Sequence, residues 1–474
     1  MDKDSPRAER PPRFVWGVST SSYQIEGAAR EDGRGASIWD TYCREPGRIA
    51  NGDTGDVACD HYHRYLEDIG LMRDLGVGAY RFSVAWPRVM PEGRGKVNEA
   101  GLAFYDRLID ALIDAGIAPW LCLYHWDLPQ ALGDRGGWSN RDCVHWFADY
   151  AALIARRYGD RVKRFATFNE PCVFTLFGFC LGGQPPGIAD LTMLLRAIHH
   201  VNLAHGAAID RLRAAVAGAS LGAIHNYQPC RPASGDPEDR DAAHKLNAYW
   251  NGAFPDPQLL GSYPPLLAEA MTPHLQPGDL ARICRPVDWF GLNHYAPHYV
   301  VANAGNPLGV GFGPAPAEVP RSAMGWPVEP QAFRETLHHV HRRYRLPIYV
   351  LENGTAFADQ LDAEGRVQDQ PRIDYLRAYT DAMFAAIAAG ADVRGYFVWS
   401  LLDNFEWGSG YSQRFGLVYV DYPTQRRIPK ASFRWYGQLI RDYSALSASD
   451  RTTSSSAMSS AATRLAADRQ SDKR

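Results

Sequence analysis

The chain has 474 residues, of which 46% are hydrophobic, 12% aromatic and 22% charged, and its formal net charge is −3. This composition excludes a disordered chain, and the near balance of 50 basic and 53 acidic residues gives no sign of nucleic acid or an acidic membrane surface as a partner. The high aromatic content, with 13 Trp, 24 Tyr and 19 Phe, is typical of a large core or of a site that stacks flat, apolar-faced ligands.

The two ends of the chain differ in composition from the part between them. Residues 1–12 are charged and contain proline, and residues 444–474 are rich in Ser, Ala, Thr and Arg. We predict a disordered N-terminal extension over 1–12, one folded domain over 13–443 and a disordered tail over 444–474. No signal-peptide core or membrane-spanning apolar run is present, and the eight cysteines are scattered. We therefore expect a cytoplasmic protein with free thiols and no structural zinc site.

Short apolar segments recur between these ends. In chain order we predict strands at 14–21, 79–86, 118–126, 164–170, 220–226, 289–295, 348–354 and 394–404. Helix-period segments alternate with several of them, at 62–76, 99–116, 140–159 and 371–390. This alternation predicts an α/β fold, and eight units favour a single closed (β/α)8 TIM barrel over an open doubly wound sheet. No G-x-G-x-x-G follows the first strand, which weakens a dinucleotide-binding alternative.

Each predicted strand carries, or is followed by, side chains that a barrel core would exclude. In chain order they are Gln24 and Glu26; Arg81; His125, Trp126 and Asp127; Asn169 and Glu170; His225 and Asn226; Asn293 and Tyr295; Glu352 and Asn353; and Trp399, Asp403, Asn404, Glu406 and Trp407. The active sites of TIM barrels lie at the C-terminal ends of the strands. We therefore predict that these side chains converge in one site.

Two of these residues carry the chemical hypothesis. Glu170 in TFNEP and Glu352 in VLENG each end an apolar strand, where a buried charge is costly unless it is used or paired. Paired carboxyl groups across a pocket are typical of glycoside hydrolysis, in which one donates a proton and the other stays ionised. The alternative is that each glutamate is a structural ion-pair partner, and Arg81 could serve either.

Metal binding is the main rival chemistry for such carboxylates. His125, His225 and His294 lie near predicted strand ends, whereas the clustered histidines at 61–63, 199–200 and 338–341 lie in helix-like segments. No H-x-H ends the first strand, which weakens the hypothesis of a metal-dependent barrel hydrolase. We expect neither a metal nor an organic cofactor, and a chelator that abolished activity would contradict this expectation.

From Phe14 to about Tyr443 the chain resembles glycoside hydrolase family 1, a family of retaining (β/α)8 β-glucosidases. The matching segments are FVWGVSTSSYQIEGA, YRFSVAWPRVMPEG, YHWDLPQAL, TFNEP, FGLNHY, MGWPV, ENG, WSLLDNFEWGSGYSQRFGLVYVD and RIPKASFRWY. The resemblance implies that residues 13–443 form a bacterial-type β-glucosidase domain, which releases terminal non-reducing β-D-glucosyl residues through a covalent glycosyl-enzyme. It also implies two carboxyl groups separated by ~5 Å.

The resemblance extends to the roles of individual residues. It implies that Glu170 is the general acid/base and Glu352 the nucleophile, and that Arg81 and Tyr295 keep the nucleophile oriented and ionised, with Arg81 holding its pKa low. The implied substrate-binding residues are Gln24, His125, Asn169, Glu406 and Trp407 for the sugar hydroxyls, Trp399 and Trp126 as indole surfaces, Trp326 on the aglycone side and Asn293 as a supporting group.

Three positions depart from the common pattern of that family. They are Leu351 in place of Thr, Cys172 where bacterial relatives often have Trp, and Gln184 in place of His. None is a catalytic glutamate, so the departures concern the aglycone, which the sequence leaves open. The resemblance also implies an unphosphorylated glycoside, because Glu406 and Trp407 stand where phospho-sugar enzymes of the family have a Ser/Lys/Tyr set, and their loop has no lysine. A carboxylate that bridges two hydroxyls also admits galactosides or fucosides.

The expected partners are small-molecule β-glycosides such as cello-oligosaccharides or aryl glucosides, with no nucleic acid and no membrane. These substrates indicate a role in cellulose and polysaccharide degradation. The assembly is expected to be a monomer or a homo-oligomer. Two alternatives stay open: a non-catalytic sugar-binding relative, which the presence of both glutamates disfavours, and a transglycosylase, which shares the same glycosyl-enzyme.

Overall fold

A computed structural model describes residues 14–449, in which eight parallel strands close into a barrel. The strands are β1 (Val15–Ser19), β2 (Ala79–Ser83), β3 (Ala118–Tyr124), β4 (Arg164–Asn169), β5 (Ser220–Asn226), β6 (Trp289–Asn293), β7 (Ile348–Asn353) and β8 (Val393–Trp399). Each strand pairs with the next, and β8 pairs with β1 to close the barrel. The predicted (β/α)8 barrel is confirmed.

Long helices cover the outside of the barrel. They are α1 (His61–Leu75), α2 (Glu99–Asp114), α3 (Cys143–Tyr158), α4 (Leu191–Ala215), α5 (Pro330–Tyr344), α6 (Gln370–Ala388) and α7 (Ala431–Ser449). The four helices predicted from their periodicity correspond to α1, α2, α3 and α6 within a few residues. The histidines at 61–63, 199–200 and 338–341 lie in α1, α4 and α5 and therefore outside the strand ends.

Shorter elements build the connections between strands and helices. Short helices lie at Ser22–Ile25, Ile38–Tyr42, Trp86–Val89, Gln130–Gly133, Pro171–Phe179, Pro237–Asn247, Pro255–Leu259, Pro265–Met271 and Asp279–Ile283. Strands at Cys230–Pro232, His298–Ala302 and Val310–Phe312 form a small sheet, and Val418–Asp421 pairs with Arg426–Pro429. The longest of these connections follow β5 and β1.

The interior of the barrel is closed by large aromatic side chains. The ring of Trp120 lies 5.6 Å from Trp289, 4.8 Å from Tyr349 and 5.2 Å from Phe397, centroid to centroid. A Cβ at Gly222 would lie 2.4 Å from Trp289, so only glycine lets β5 approach this ring. The barrel is thus a packed core, and its polar strand ends form a site rather than a pore.

The predicted domain boundary at residue 443 requires a correction. Helix α7 continues to Ser449, so residues 444–449 are helical. Near its end the ring of Tyr443 packs against Phe14, Trp16 and Phe384, at centroid distances of 5.5, 5.5 and 5.8 Å. This contact anchors the helix, and the following Ala and Leu residues are good helix formers. The predicted extension over 1–12 and the rest of the predicted tail lie outside the described residues.

The remaining sequence expectations concern cysteines, membranes and metals. All eight cysteines are free thiols. None of the helices between residues 14 and 449 has the length and apolar character needed to cross a membrane. Over the same residues, no group of three or more His, Cys, Asp or Glu side chains is placed to hold a metal ion.

Candidate active site

The predicted site residues meet at the C-terminal ends of the strands. Arg81 on β2 donates through Nη1 to Glu352 Oε1 on β7, at 2.5 Å, and through Nη2 to Asn169 Oδ1 at the end of β4. Asn293, which ends β6, donates through Nδ2 to the same Asn169 oxygen at 3.0 Å. These four side chains are buried and form one continuous network. Four strands that are distant in sequence thus deliver their polar ends to one place.

Glu352 is held by a cation and a phenol. Arg81 contacts one carboxyl oxygen, and the hydroxyl of Tyr295 donates to the other. Burial raises the pKa of Glu352 above its ordinary value, while Arg81 and the Tyr295 hydroxyl act against this rise. Arg81 therefore acts on this pKa in the predicted direction, but it limits a rise that burial causes rather than bringing the pKa below its ordinary value.

Glu170 lies on a sharp turn between β4 and the helix Pro171–Phe179. Its backbone is left-handed, with φ 48° and ψ 58°, and its N–H donates to the carbonyl of Ile224 on β5 at 2.8 Å. Non-glycine residues rarely adopt this conformation, and strain of this kind is concentrated at functional sites. Trp126 and Trp407 also have positive φ, at 77° and 48°. Three of the predicted site residues therefore have strained backbones.

The carboxyl group of Glu170 is contacted by amides rather than by a cation. Its Oε1 accepts from Asn293 Nδ2 at 2.7 Å and from Asn226 Nδ2 at 3.0 Å. Burial, followed by the negative charge of Glu352, raises the pKa of Glu170 to about 8. Glu170 is thus protonated at neutral pH, and the pair of carboxyl groups is electrostatically coupled.

His125 and Trp126 lie beside Asn169. The Nδ2 of Asn169 donates to His125 Nε2 at 3.2 Å, and Trp126 Nε1 donates to the backbone carbonyl of Asn169 at 2.9 Å. Burial and the positive charge of Arg81 lower the pKa of His125 well below its ordinary value. His125 is therefore neutral, and both residues fix the position of Asn169.

Gln24 and the loop after β8 form a second part of the site. Gln24 Nε2 donates to Asn404 Oδ1 at 3.1 Å and to the carbonyl of Phe405 at 2.9 Å. In the described part of the chain, Glu406 Oε2 is buried without a hydrogen-bond partner. Burial and the charge of Glu352 raise the pKa of Glu406 to about 8. An unpartnered buried oxygen gains from any ligand hydroxyl that reaches it.

Aromatic rings surround these polar groups. The ring of Trp407 lies 4.6 Å from Trp126, and the imidazole of His125 stacks on Trp399 at 5.7 Å with an interplanar angle of 15°. Trp326 is only partly buried and contacts Tyr295 at 5.4 Å. The predicted indole residues are therefore brought together, with Trp326 on the Glu352 side.

The sequence assigned no role to a group of residues on the Glu170 side. Asn226, which contacts Glu170, accepts at Oδ1 from Gln228 Nε2 at 2.8 Å and from Trp250 Nε1 at 3.1 Å. The sequence feature that could have predicted a role for Asn226 is its position at the end of β5. Trp250 lies in the long connection after β5, which has no comparable pattern. Cys172 packs here too, with Sγ 3.6 Å from the carbonyl of Asn226.

Other carboxylates near strand ends have structural partners instead. Glu26 accepts from Arg88 Nε at 2.9 Å and from the hydroxyl of Tyr105. Asp127 accepts from the hydroxyl of Ser22 at 2.8 Å. Glu26 is therefore a structural ion-pair partner, which is the role considered above as the alternative for Glu170 and Glu352. Glu352 also has an ion pair, but it belongs to the central network with Arg81, Asn169 and Asn293.

Comparison with known proteins agrees with this geometry. The family described as Glycosyl hydrolase family 1 matches residues 7–444. The thermostable beta-glucosidase B of Thermobispora bispora is 48% identical over 444 residues, covering 91% of this chain and 90% of that protein. The bifunctional beta-D-glucosidase/beta-D-fucosidase of Bifidobacterium breve is 43% identical over 463 residues, covering 92% and 99%.

A solved structure of a relative has the same fold. The beta-glucosidase from Thermotoga maritima in complex with glucoimidazole superposes with a TM-score of 0.86 at 45% identity, covering 90% of this chain and 98% of that one. Both the sequence match and the fold extend over nearly the whole described domain. The chain therefore belongs to glycosyl hydrolase family 1 and is a glycoside hydrolase.

Proposed function

We propose that this enzyme is a retaining β-glucosidase in which Glu352 is the nucleophile and Glu170 the acid/base. The observation that carries the proposal is the difference between the partners of two buried carboxyl groups. Glu352 has a guanidinium and a phenol, which favour its ionised form, whereas Glu170 has amides and a pKa of about 8. Two carboxyl groups with different proton affinities are what retaining hydrolysis requires.

In the first step, an ionised oxygen of Glu352 attacks the anomeric carbon as the bond to the leaving oxygen breaks. Glu170 gives its proton to that oxygen, so the aglycone departs as a neutral alcohol. Arg81 and Tyr295 keep the attacking carboxylate in one orientation. The product of this step is a glucosyl ester of Glu352.

In the second step, Glu170 acts as a base. Ester formation removes the negative charge of Glu352, which is one of the two causes of the high pKa of Glu170. The pKa of Glu170 then falls, and its carboxylate can accept a proton from water as the water attacks the ester-linked sugar. Two inversions at the anomeric carbon give net retention.

The sugar pocket fits an unphosphorylated hexose. Gln24, His125, Asn169 and Glu406 supply polar groups, and the indole rings of Trp126, Trp399 and Trp407 supply flat apolar surfaces. The free oxygen of Glu406 can accept from two neighbouring hydroxyls in either configuration. The Bifidobacterium relative is named for both glucosidase and fucosidase activity. Roles in cellulose degradation and a cytoplasmic location stay predictions.

A panel of 4-nitrophenyl β-glycosides tests the substrate class. We expect cleavage of the β-glucoside, slower or comparable cleavage of the β-fucoside and β-galactoside, and about 10²-fold lower kcat/KM for the 6-phospho-β-glucoside. The phosphate would place negative charge beside the buried carboxyl of Glu406. Faster cleavage of the phosphorylated substrate would contradict the proposed pocket.

The pH dependence of kcat/KM tests the role of Glu170. Its pKa is raised to about 8, and the proton must be present for leaving-group protonation. We therefore expect Glu170 to set the alkaline limb, so that activity on an alkyl β-glucoside is lost as pH rises through about 8. Steady-state rates from pH 5 to 10 give the profile. Above the pKa of Glu170 we expect kcat/KM to fall by ~10-fold per pH unit.

The control for this profile separates Glu170 from Glu406, which also has a pKa of about 8. The leaving group of a 2,4-dinitrophenyl β-glucoside departs as an anion and needs no proton. The kcat/KM for this substrate should therefore keep its value to higher pH. If the alkaline limb is unchanged with this substrate, Glu170 is not the group that sets it.

A further inference from the structure

A largely buried cluster of charged side chains joins the two loops that follow β7 and β8. Its members are three acids and three bases, Asp359, Asp369, Asp403, Arg372, Arg414 and Lys430. The β7 loop (residues 354–369) follows Glu352, and the β8 loop (residues 400–417) carries Glu406 and Trp407. The formal charges of the cluster sum to zero, and each charged group pairs with at least one group of opposite sign.

Lys430 connects the two halves of this cluster. Its Nζ donates to Asp403 Oδ1 in the β8 loop at 2.7 Å and to Asp359 Oδ2 in the β7 loop at 2.5 Å. The side chain of Lys430 is fully buried, and its backbone N–H donates to the carbonyl of Leu417 at 3.0 Å. A single ammonium group, fixed by its own backbone, therefore joins both loops.

On the β7 side, the cluster reaches close to the nucleophile. Arg372 Nη2 donates to Asp359 Oδ2 at 2.7 Å, and Arg372 Nε donates to the carbonyl of Thr355 at 3.4 Å. Thr355 lies three residues after Glu352. The position of Asp359 is thus tied to the segment that leaves the end of β7.

On the β8 side, the cluster reaches the sugar-binding residues. Asp403 also accepts from Arg414 Nη1 at 2.6 Å and from the N–H of Gly416 at 2.9 Å. The next residue, Asn404, accepts from Gln24, and Glu406 follows two residues later. Asp403 therefore fixes the start of the segment on which Gln24 and Glu406 depend.

We propose that Lys430 is a positioning residue that holds Glu406 and Gln24 at a set place relative to Glu352. The inference rests on the proposed function, because it concerns the sugar that those residues would bind. Ion pairs in a buried, low-dielectric setting are strongly coupled, so loss of the ammonium leaves two carboxylates with less compensation and frees the loops to move apart. A displacement of about 1 Å in a site is enough to cost about 10² in rate.

The test is a double-mutant cycle on kcat/KM for 4-nitrophenyl β-glucoside, with K430M, D359N, E406A and the two double variants that include E406A. We expect K430M and D359N each to lower kcat/KM by about 10²-fold in the wild-type background. In the E406A background the effect of each should fall to about tenfold or less, since Gln24 is then the one sugar-binding residue left for Lys430 to position. If K430M fails to fold, the cycle of D359N with E406A decides the test.

The matched control is D279N. Asp279 is also a buried aspartate with basic partners, Arg141 Nη2 at 2.6 Å, His199 Nε2 at 2.9 Å and Arg282 Nη1 at 3.8 Å, but it lies in the helix Asp279–Ile283 of the connection after β5. D279N should lower Tm as D359N does while keeping kcat/KM within about twofold of the wild type. Equal kinetic losses for D279N and D359N, or additive losses with E406A, would overturn the positioning role. Turnover by the wild type separates this outcome from failure of the proposed function.

Discussion

Replacement of Glu352 by alanine should abolish the turnover of β-glucosides, with a loss in kcat of at least about 10⁴-fold. Glu352 is the carboxylate that Arg81 and Tyr295 hold at the end of β7, and Arg81 links it to Asn169 in the central network. Without it, no covalent glucosyl ester forms, and the route through two displacements is closed. Initial rates with 4-nitrophenyl β-glucoside measure the loss.

Azide provides the diagnostic readout for the Glu352→Ala variant. The small anion can occupy the space of the missing carboxylate and attack an activated glucoside from the face opposite the leaving group. The expected product is the α-glucosyl azide. Glu364→Ala, which removes an exposed glutamate of the β7 loop, is the control and should keep wild-type activity. Wild-type turnover in Glu352→Ala would show that another group is the nucleophile.

Replacement of Glu170 by alanine should have an effect that depends on the leaving group. For alkyl glucosides, which need a proton on the departing oxygen, we expect kcat/KM to fall by about 10²–10⁴-fold. For a 2,4-dinitrophenyl glucoside the first step should be nearly preserved, because that leaving group departs as an anion. Breakdown of the glucosyl-enzyme should then limit the rate, since water has lost its base. A pre-steady-state burst of dinitrophenol measures this change.

Azide separates the two glutamates by the anomer it yields. In Glu170→Ala the glucosyl ester of Glu352 still forms, and azide attacks it from the face that water would use. The product should be the β-glucosyl azide, the opposite anomer to that from Glu352→Ala. Equal losses on alkyl and dinitrophenyl glucosides, or an α-azide product, would contradict an acid/base role for Glu170.

The barrel itself could be predicted from the sequence because its signals are local. A parallel strand covered by helices appears in the sequence as an apolar run. The point at which that run gives way to polar residues predicts the C-terminal end of the strand. Glu170, Asn293 and Glu352 are such ends, and the network among them follows once the strands are parallel and closed. Strand ends were sufficient to predict which side chains meet at this end of the barrel.

Other features depend on contacts between segments that are distant in the chain. Trp250 reaches Asn226 from the long connection after β5, and Lys430 joins two loops from a hairpin beyond β8. No periodicity marks either residue. The pKa of Glu352 depends on how far burial outweighs Arg81, which a sequence does not specify. The predicted domain end at residue 443 falls inside α7, because the Ser- and Ala-rich composition of residues 444–449 is equally typical of a tail.

The anomeric configuration of the first product tests the central proposal most directly. The measurement is a proton NMR time course of 4-nitrophenyl β-glucoside hydrolysis by the wild-type enzyme, recorded before mutarotation equilibrates the sugar. Two displacements through Glu352, with Glu170 as acid and then base, predict β-glucose as the initial product and α-glucose only later. Initial release of α-glucose would contradict this account, because it would require a single displacement by water.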